Sequence, residues 1–253
     1  MNETSDVSEV SPKAIERSVL QAFLDELSNR LYDGQGLPPT NAELVRRGAS
    51  PALLQTLASF TDNARRLRVT VHRRLAIALN RDQIPSKLWL IDRLSDAMPL
   101  QDSRILVVGG WYGILPLLLQ CLYPSWRIRT DVIDVDPAAC EVASMLLEGV
   151  VENLTITRRD AIDVDYREVV QEPHSVVVNT VCEHMSNFLD WFSLVQPGQR
   201  IALQSNDHVG CSEHTNCVPS LEAFEAQAPL SEVYFRGILP LANFKRFMLI
   251  GRR

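Results

Sequence analysis

Apolar residues recur every three to four positions through Ile15, Val19, Leu20, Phe23, Leu24, Leu27 and Leu31, which predicts an amphipathic helix. Ser11 followed by Pro12 supplies its N-cap and first-turn proline. The stretch from Gly34 to Pro39 breaks it. Thr40 with Glu43 has capping-box spacing and opens a short second helix that stops at Gly48. Ser50 and Pro51 start a third, longer helix, whose stripe runs Leu53, Leu54, Leu57, Phe60, Ala64, Leu67, Val71, Leu75. None of these helices can bury its stripe alone, so they must pack on each other or on the remainder of the chain. After the breaker RDQIPS, a helix over Lys87–Ala97 carries Leu88, Trp89, Ile91 and Leu94.

Beyond residue 100 the texture changes. Continuous apolar runs at Arg104–Val108, Arg127–Ile133, Ser175–Val178, Arg200–Gln204 and Phe247–Gly251 read as buried strands, mostly parallel. Helical stretches such as Leu115–Leu122 and Ala138–Leu147 separate the earlier ones. That alternation predicts a doubly wound α/β sheet. The chain divides into a disordered lead-in over 1–11, a helical cap over 12–85 and a ligand-binding domain over 86–253.

Composition narrows the setting. The chain has 253 residues, 46% of them hydrophobic, enough to fill a core of this size. No apolar run approaches the roughly 20 residues of a membrane span. The polar, acidic start MNETSDVSEVSP is unlike a signal peptide. Five scattered cysteines suit reduced thiols in a cytoplasm better than a disulfide framework. A net charge of −6 argues against a nucleic-acid partner. The arginines at 65, 66, 68, 73 and 74 read as a solvated helix face. Small molecules are the expected partners, with self-association left open.

The chemistry gathers at predicted strand ends. The first strand runs ILVV into GGWYG and then an apolar helix, a turn that lets backbone approach a ligand at a helix N-terminus. A second strand ends TDVIDVDP, placing Asp134 where doubly wound nucleotide sites bond ribose hydroxyls. Asp160, in RRDA, closes a third strand. The fourth ends VVVN and leads into TVCEHM, so Asn179, Glu183 and His184 follow it. Gln204, Ser205, Asn206 and Asp207 follow the fifth. Residues at the carboxyl ends of parallel strands converge on the ligand crevice. Glu183 and His184 are acid–base candidates by type. His208, Cys211, His214 and Cys217 fall at a strict spacing of three, which matches no familiar zinc finger or ribbon, and no metal is expected there.

In order and spacing, residues 104–253 resemble the class I methyltransferases that bind S-adenosylmethionine (SAM) on a Rossmann-like fold. The resemblance implies Gly109, Gly110 and Gly113 beside the methionine part of SAM, Asp134 on the ribose and Asp160 near the adenine amino group. It also implies late antiparallel strands around FKRFMLIGRR. Two departures stand out. Val107 occupies the position of the family's acidic residue, which helps hold the methionine ammonium charged. Trp111 replaces the middle glycine, where an indole face beside the sulfonium gains a cation–π contact. The alternative is a core-facing Trp111, with another carboxylate making the missing contact.

The GGWYG loop, the VNTVCEHM segment and QSND with its HTNCVPSLEAF continuation look like the SAM cyclases that make azetidine-2-carboxylate. Nicotianamine-type synthases likewise use the aminobutyrate arm of SAM. This implies attack of the α-amino nitrogen on Cγ of the same molecule, with release of methylthioadenosine. In that reading Asn179, Ser205 and Asn206 orient the amine, Glu183 or His184 takes its proton, Trp111 or Tyr112 steadies the sulfonium, and the N-terminal helices form a lid that excludes water. The alternatives are a small-molecule methyltransferase and a non-enzymatic SAM or nucleotide sensor.

Overall fold

A computed structural model describes residues 12–37, 42–172 and 174–253. The lead-in over 1–11, the capping roles of Ser11 and Thr40 and the end of the first breaker lie outside the described residues.

The amino-terminal helices are α1 (Pro12–Tyr32), α2 (Ala42–Arg46), α3 (Pro51–Arg65), α4 (Val69–Ala78) and α5 (Gln83–Ala97). Ser50 caps α3 by accepting the Leu53 N–H at 3.2 Å. The long third helix expected from the sequence is two. Arg68, at ψ 143°, is extended and starts α4 afresh, although neither Gly nor Pro interrupts the stripe. The break lets α3 lie on the helices beyond residue 114 while α4 turns back onto α1 and α5. Helix α5 also begins earlier than expected. Pro85 falls in its first turn, where a missing N–H costs nothing, and Asn80 Oδ1 accepts the N–H groups of Asp82 and Gln83, both at 2.9 Å.

The rest alternates strand and helix as far as β5: β1 (Arg104–Val108), α6 (Ile114–Leu122), β2 (Arg129–Asp134), α7 (Pro137–Leu147), β3 (Leu154–Arg158), α8 (Tyr166–Gln171), β4 (Val176–Asn179), α9 (Phe188–Leu194), β5 (Arg200–Asn206), α10 (Leu221–Gln227), β6 (Glu232–Pro240) and β7 (Lys245–Arg252), with α8, α9 and β6 beyond the elements expected. The sheet order is β3-β2-β1-β4-β5-β7-β6, with β7 antiparallel to both its neighbours. Strands β1 to β5 pair in parallel. The chain leaves β1 towards one edge and returns at β4 towards the other, so a crevice opens above the carboxyl ends of β1 and β4.

Side chains alternate across this sheet. Ile105, Val107, Val132, Val176, Val178, Met248 and Ile250 face a core shared with α1 and α3 to α7. Leu106, Val108, Ile133, Val177, Ile201, Leu203, Phe247 and Leu249 face the opposite core, closed by the Phe188, Trp191 and Phe224 rings. The N-terminal helices therefore form an outer layer over one face of the sheet. Only Arg74 and Ile77 of α4 and Gln83 and Lys87 of α5 reach the crevice. Among the described residues no helix is long and apolar enough to cross a membrane.

Candidate functional site

A cleft of about 800 Å³ opens at the carboxyl ends of the parallel strands. Gly109, Gly110, Trp111 and Tyr112 form one wall, with Asp134 and Asp160 along it. The glycine turn is pinned to β2, because the N–H groups of Gly109 and Gly110 both donate to the Ile133 carbonyl, at 3.0 and 3.2 Å. Gly109 has φ 64°, and a Cβ there would lie 2.2 Å from Val181 Cγ2. At Gly110 a Cβ would lie 2.2 Å from Val132 Cγ1. Both positions exclude any side chain, Gly109 by conformation as well as space. Gly113 stands at the N-cap of α6 and does not itself line the cleft.

Trp111 takes a left-handed conformation, φ 46°, which costs a bulky residue roughly 1–2 kcal/mol. Asp134 offsets this. Its Oδ2 accepts the Trp111 N–H at 2.8 Å and its Oδ1 the Asp136 N–H at 3.0 Å. The carboxylate therefore anchors the loop and still faces the cleft. The Trp111 indole stacks on Tyr112, ring centroids 4.9 Å apart. It packs against the core on one side and lines the cleft on the other. Burial raises the Tyr112 phenol, with Arg74 opposing and Asp136 adding to the shift. Asp160 caps the short 3₁₀ turn Ala161–Asp163, accepting the Ile162 N–H at 3.2 Å, and lines the cleft.

The residues expected after β4 and β5 separate into two groups. Glu183 and His184 line the cleft; Asn179, Ser205 and Asn206 do not. Asn179 is wholly buried, accepts the Val181 N–H at 3.0 Å and turns its amide to Met185 Sδ. Asn206 donates to Glu183 Oε1 at 2.7 Å and accepts the His208 N–H at 2.9 Å. Ser205 is buried, with no partner for its hydroxyl among the described residues. These three, expected to orient a ligand amine, do not line the cleft in this structure. They sit behind the cleft wall, and Asn179 and Asn206 hold the two loops in place.

Glu183 is 1% exposed and pairs through Oε1 with the buried Arg246, N···O 2.5 Å. Its Oε2 and the Nε of Arg246 have no partner among the described residues. Lys87, from α5, joins them at the cleft and donates to Gln83 Oε1 at 2.6 Å. Burial, reinforced by Arg246 and opposed by Glu183, pulls the Lys87 ammonium down to about 7. Sequence reading passed over both Lys87 and Arg246. A signal for Lys87 existed, since it stands between Ile84 and Ile91 on the apolar stripe of α5. Arg246 shares the sheet face of Met248 and Ile250, which looks towards α5.

The four-residue loop set is not gathered. His214 Nδ1 donates to the His208 carbonyl at 2.9 Å and stands 3.6 Å from Cys217 Sγ. Burial pushes His214 down from its ordinary value. His184 Nδ1 donates to the Glu213 carbonyl at 3.1 Å. Glu183, His184 and His214 bring one ligand-type atom each to within 4.8 Å of one another. A cation there would face the Arg246 guanidinium across the same carboxylate, which opposes it electrostatically.

No family model and no curated protein sequence matches this chain. Solved structures do. One described as a sarcosine dimethylglycine methyltransferase of Galdieria sulphuraria aligns with 72% of this chain and 87% of its own, at 11% identity and TM-score 0.52. The N-methyltransferase NodS of Bradyrhizobium japonicum aligns with 67% of this chain and 94% of its own, at 14% identity and TM-score 0.50. A mutant of MtNAS in complex with S-adenosylmethionine aligns with 96% of this chain and 97% of its own, at 13% identity and TM-score 0.48. The first two likenesses agree with the strand order and crevice described above: the chain has the Rossmann-like fold of class I methyltransferases.

Proposed function

We propose that this protein is a SAM-utilising enzyme, and that the aminobutyrate arm of SAM reacts instead of its methyl group. The observation that carries the reading is the order of groups along one cleft. Following the sheet order, Asp160 and Asp134 line it after β3 and β2, the Gly109–Gly110 turn and Trp111 after β1, and Glu183 after β4, with Lys87 of α5 and Arg246 of β7 beside Glu183. In that order the adenine amino group meets Asp160, the ribose hydroxyls meet Asp134, the sulfonium meets the Trp111 face, and the amino-acid end meets the cluster.

The reaction is intramolecular. The α-amine, as a neutral nucleophile, attacks Cγ of its own chain. A C–N bond forms while the Cγ–S bond breaks, and its electron pair passes to sulfur. The sulfonium leaves as neutral methylthioadenosine, and the new azetidine-2-carboxylate nitrogen takes the positive charge. Holding nitrogen and Cγ in a near-attack conformer is the main lever for closing a strained ring. The apolar Val107 at the usual acidic position, at the carboxyl end of β1 beside the turn, leaves one less group favouring the unreactive ammonium.

A second reading, methyl transfer to a small molecule, draws on the two aligned structures, which are described as methyltransferases. Incubation of the purified protein with SAM alone, followed by mass spectrometry, separates the two. Azetidine-2-carboxylate together with methylthioadenosine supports ring closure. S-adenosylhomocysteine as the main product in a cell extract supports methyl transfer. Methylthioadenosine with homoserine lactone alone is spontaneous decay; it counts against ring closure and, with no acceptor present, is what a methyltransferase would also show.

A further inference from the structure

We propose that Lys87, Glu183 and Arg246 bind the α-amino-acid end of SAM, and that Lys87 is the base that takes the proton from its α-amine. The inference rests on the SAM reading above and adds a proton acceptor to it. The three side chains come from α5, from the turn after β4 and from β7, and they meet in the lining of the cleft. Two of them present buried atoms with no hydrogen-bond partner among the described residues, Oε2 of Glu183 and Nε of Arg246. Buried polar atoms are seldom left unpaired. Here one is an acceptor and the other a donor, and the amine and carboxylate of an amino acid supply the complements to both.

Lys87 differs from its neighbours in that it can change charge at neutral pH. It is partly exposed at the cleft wall and hydrogen-bonded to Gln83 Oε1, with its ammonium lowered to about 7. A free α-amine titrates at roughly 7.7–8.0, so proton transfer between the two is close to balanced. Glu183 already accepts from Arg246 and Asn206 through Oε1, which suits it to orient the amine. Arg74 of α4 and His184, His214, Cys211 and Glu213 of the facing loops also line the cleft. Arg17 of α1 is paired with Asp92, and Arg236 of β6 with Glu222 and Glu225. Helix α6 offers only the thiol of Cys121. The proton passes from the α-ammonium to Nζ of Lys87, the freed lone pair closes the ring, and Lys87 returns the proton to solvent after product leaves.

The test compares wild type, Lys87→Met and Lys87→Arg in binding of SAM and of methylthioadenosine, which lacks the amino-acid end. Calorimetry covers pH 6 to 9, and ring formation is followed over the same range. Below pH 7 wild type must expel a proton to bind SAM, so its affinity should climb roughly fivefold from pH 6 to 7 and about twofold more by pH 8, then level, with methylthioadenosine flat. Lys87→Met should abolish that climb and slow ring closure by up to about tenfold at pH 7, where only about a tenth of the amine is neutral unaided, with recovery as the amine loses its own proton. Lys87→Arg keeps size and charge, reads the same loss of rate if the methionine variant does not fold, and should leave methylthioadenosine binding unchanged. A wild-type pH profile retained in both variants, with both nucleosides bound, overturns the role of Lys87 and leaves the SAM reading standing. Binding of neither nucleoside by folded wild type overturns both.

Discussion

Replacing Asp134 by alanine tests whether one carboxylate both anchors the glycine turn and binds the ribose. In the free protein it accepts the N–H groups of Trp111 and Asp136 at 2.8 and 3.0 Å. Charge-assisted bonds of this kind contribute about 1.5–3 kcal/mol each, and partial exposure brings these two to roughly 1 kcal/mol apiece. The alanine variant should therefore lose about 2 kcal/mol, which for a chain of this length lowers the melting temperature by roughly 4–8 °C. Asp134→Asn keeps one acceptor oxygen and should lose about half as much. Trp111, no longer held at φ 46°, relaxes its loop. With SAM present the ribose bonds are lost as well, and the dissociation constant should rise more than about tenfold, equivalent to roughly 1.4 kcal/mol. Thermal unfolding of the free variants and calorimetric titration with SAM measure the two effects separately. A melting temperature within about 1 °C of wild type in Asp134→Ala would refute the anchoring role. An unchanged affinity would move the ribose site elsewhere.

Breaking the buried pair from either side, with Glu183→Gln or Arg246→Met, should destabilise by about 3–5 kcal/mol in urea unfolding, and the double variant should lose less than the sum. Gly109→Ala must move Val181 and tolerate φ 64°; it should cost about 2–3 kcal/mol and lower SAM affinity, read by the same two assays. Lys87 titrates near 7 in the folded state and near 10.4 unfolded, so between those values the unfolded chain binds more protons. Stability should rise with pH across that window, and Lys87→Met should melt higher than wild type at pH 7 and flatten the rise. Elemental analysis after dialysis against a weak chelator should find well under one zinc per chain, since a four-ligand site at His208, Cys211, His214 and Cys217 would retain its ion.

The local pattern of the chain was enough for the parallel strands β1, β2, β4 and β5, for α6 and α7, and for the turn at GGWYG. Each of these is written in neighbouring residues: β-branched runs buried on both faces, then glycines where no Cβ fits. Asp134 was legible for the same reason, because a strand end and its turn are one local unit. The break between α3 and α4 carried no such mark. Arg66 to Arg68 are ordinary helix formers, and the chain turns there because each half meets a different partner layer. Strand β6 was unmarked too. Its alternating burial as the sheet's edge strand gives no continuous apolar run. The same limit applies to the charged part of the cleft lining. Lys87 and Arg246 lie 159 positions apart in the numbering, and only the placing of α5 over β7 brings both to Glu183. Asn179 and Asn206 read as ligand contacts from their strand-end positions, yet the direction in which a side chain leaves a strand end depends on the loop after it. The residues on either side of a site decide its backbone, while the charges that meet within it are set by which distant elements pack together.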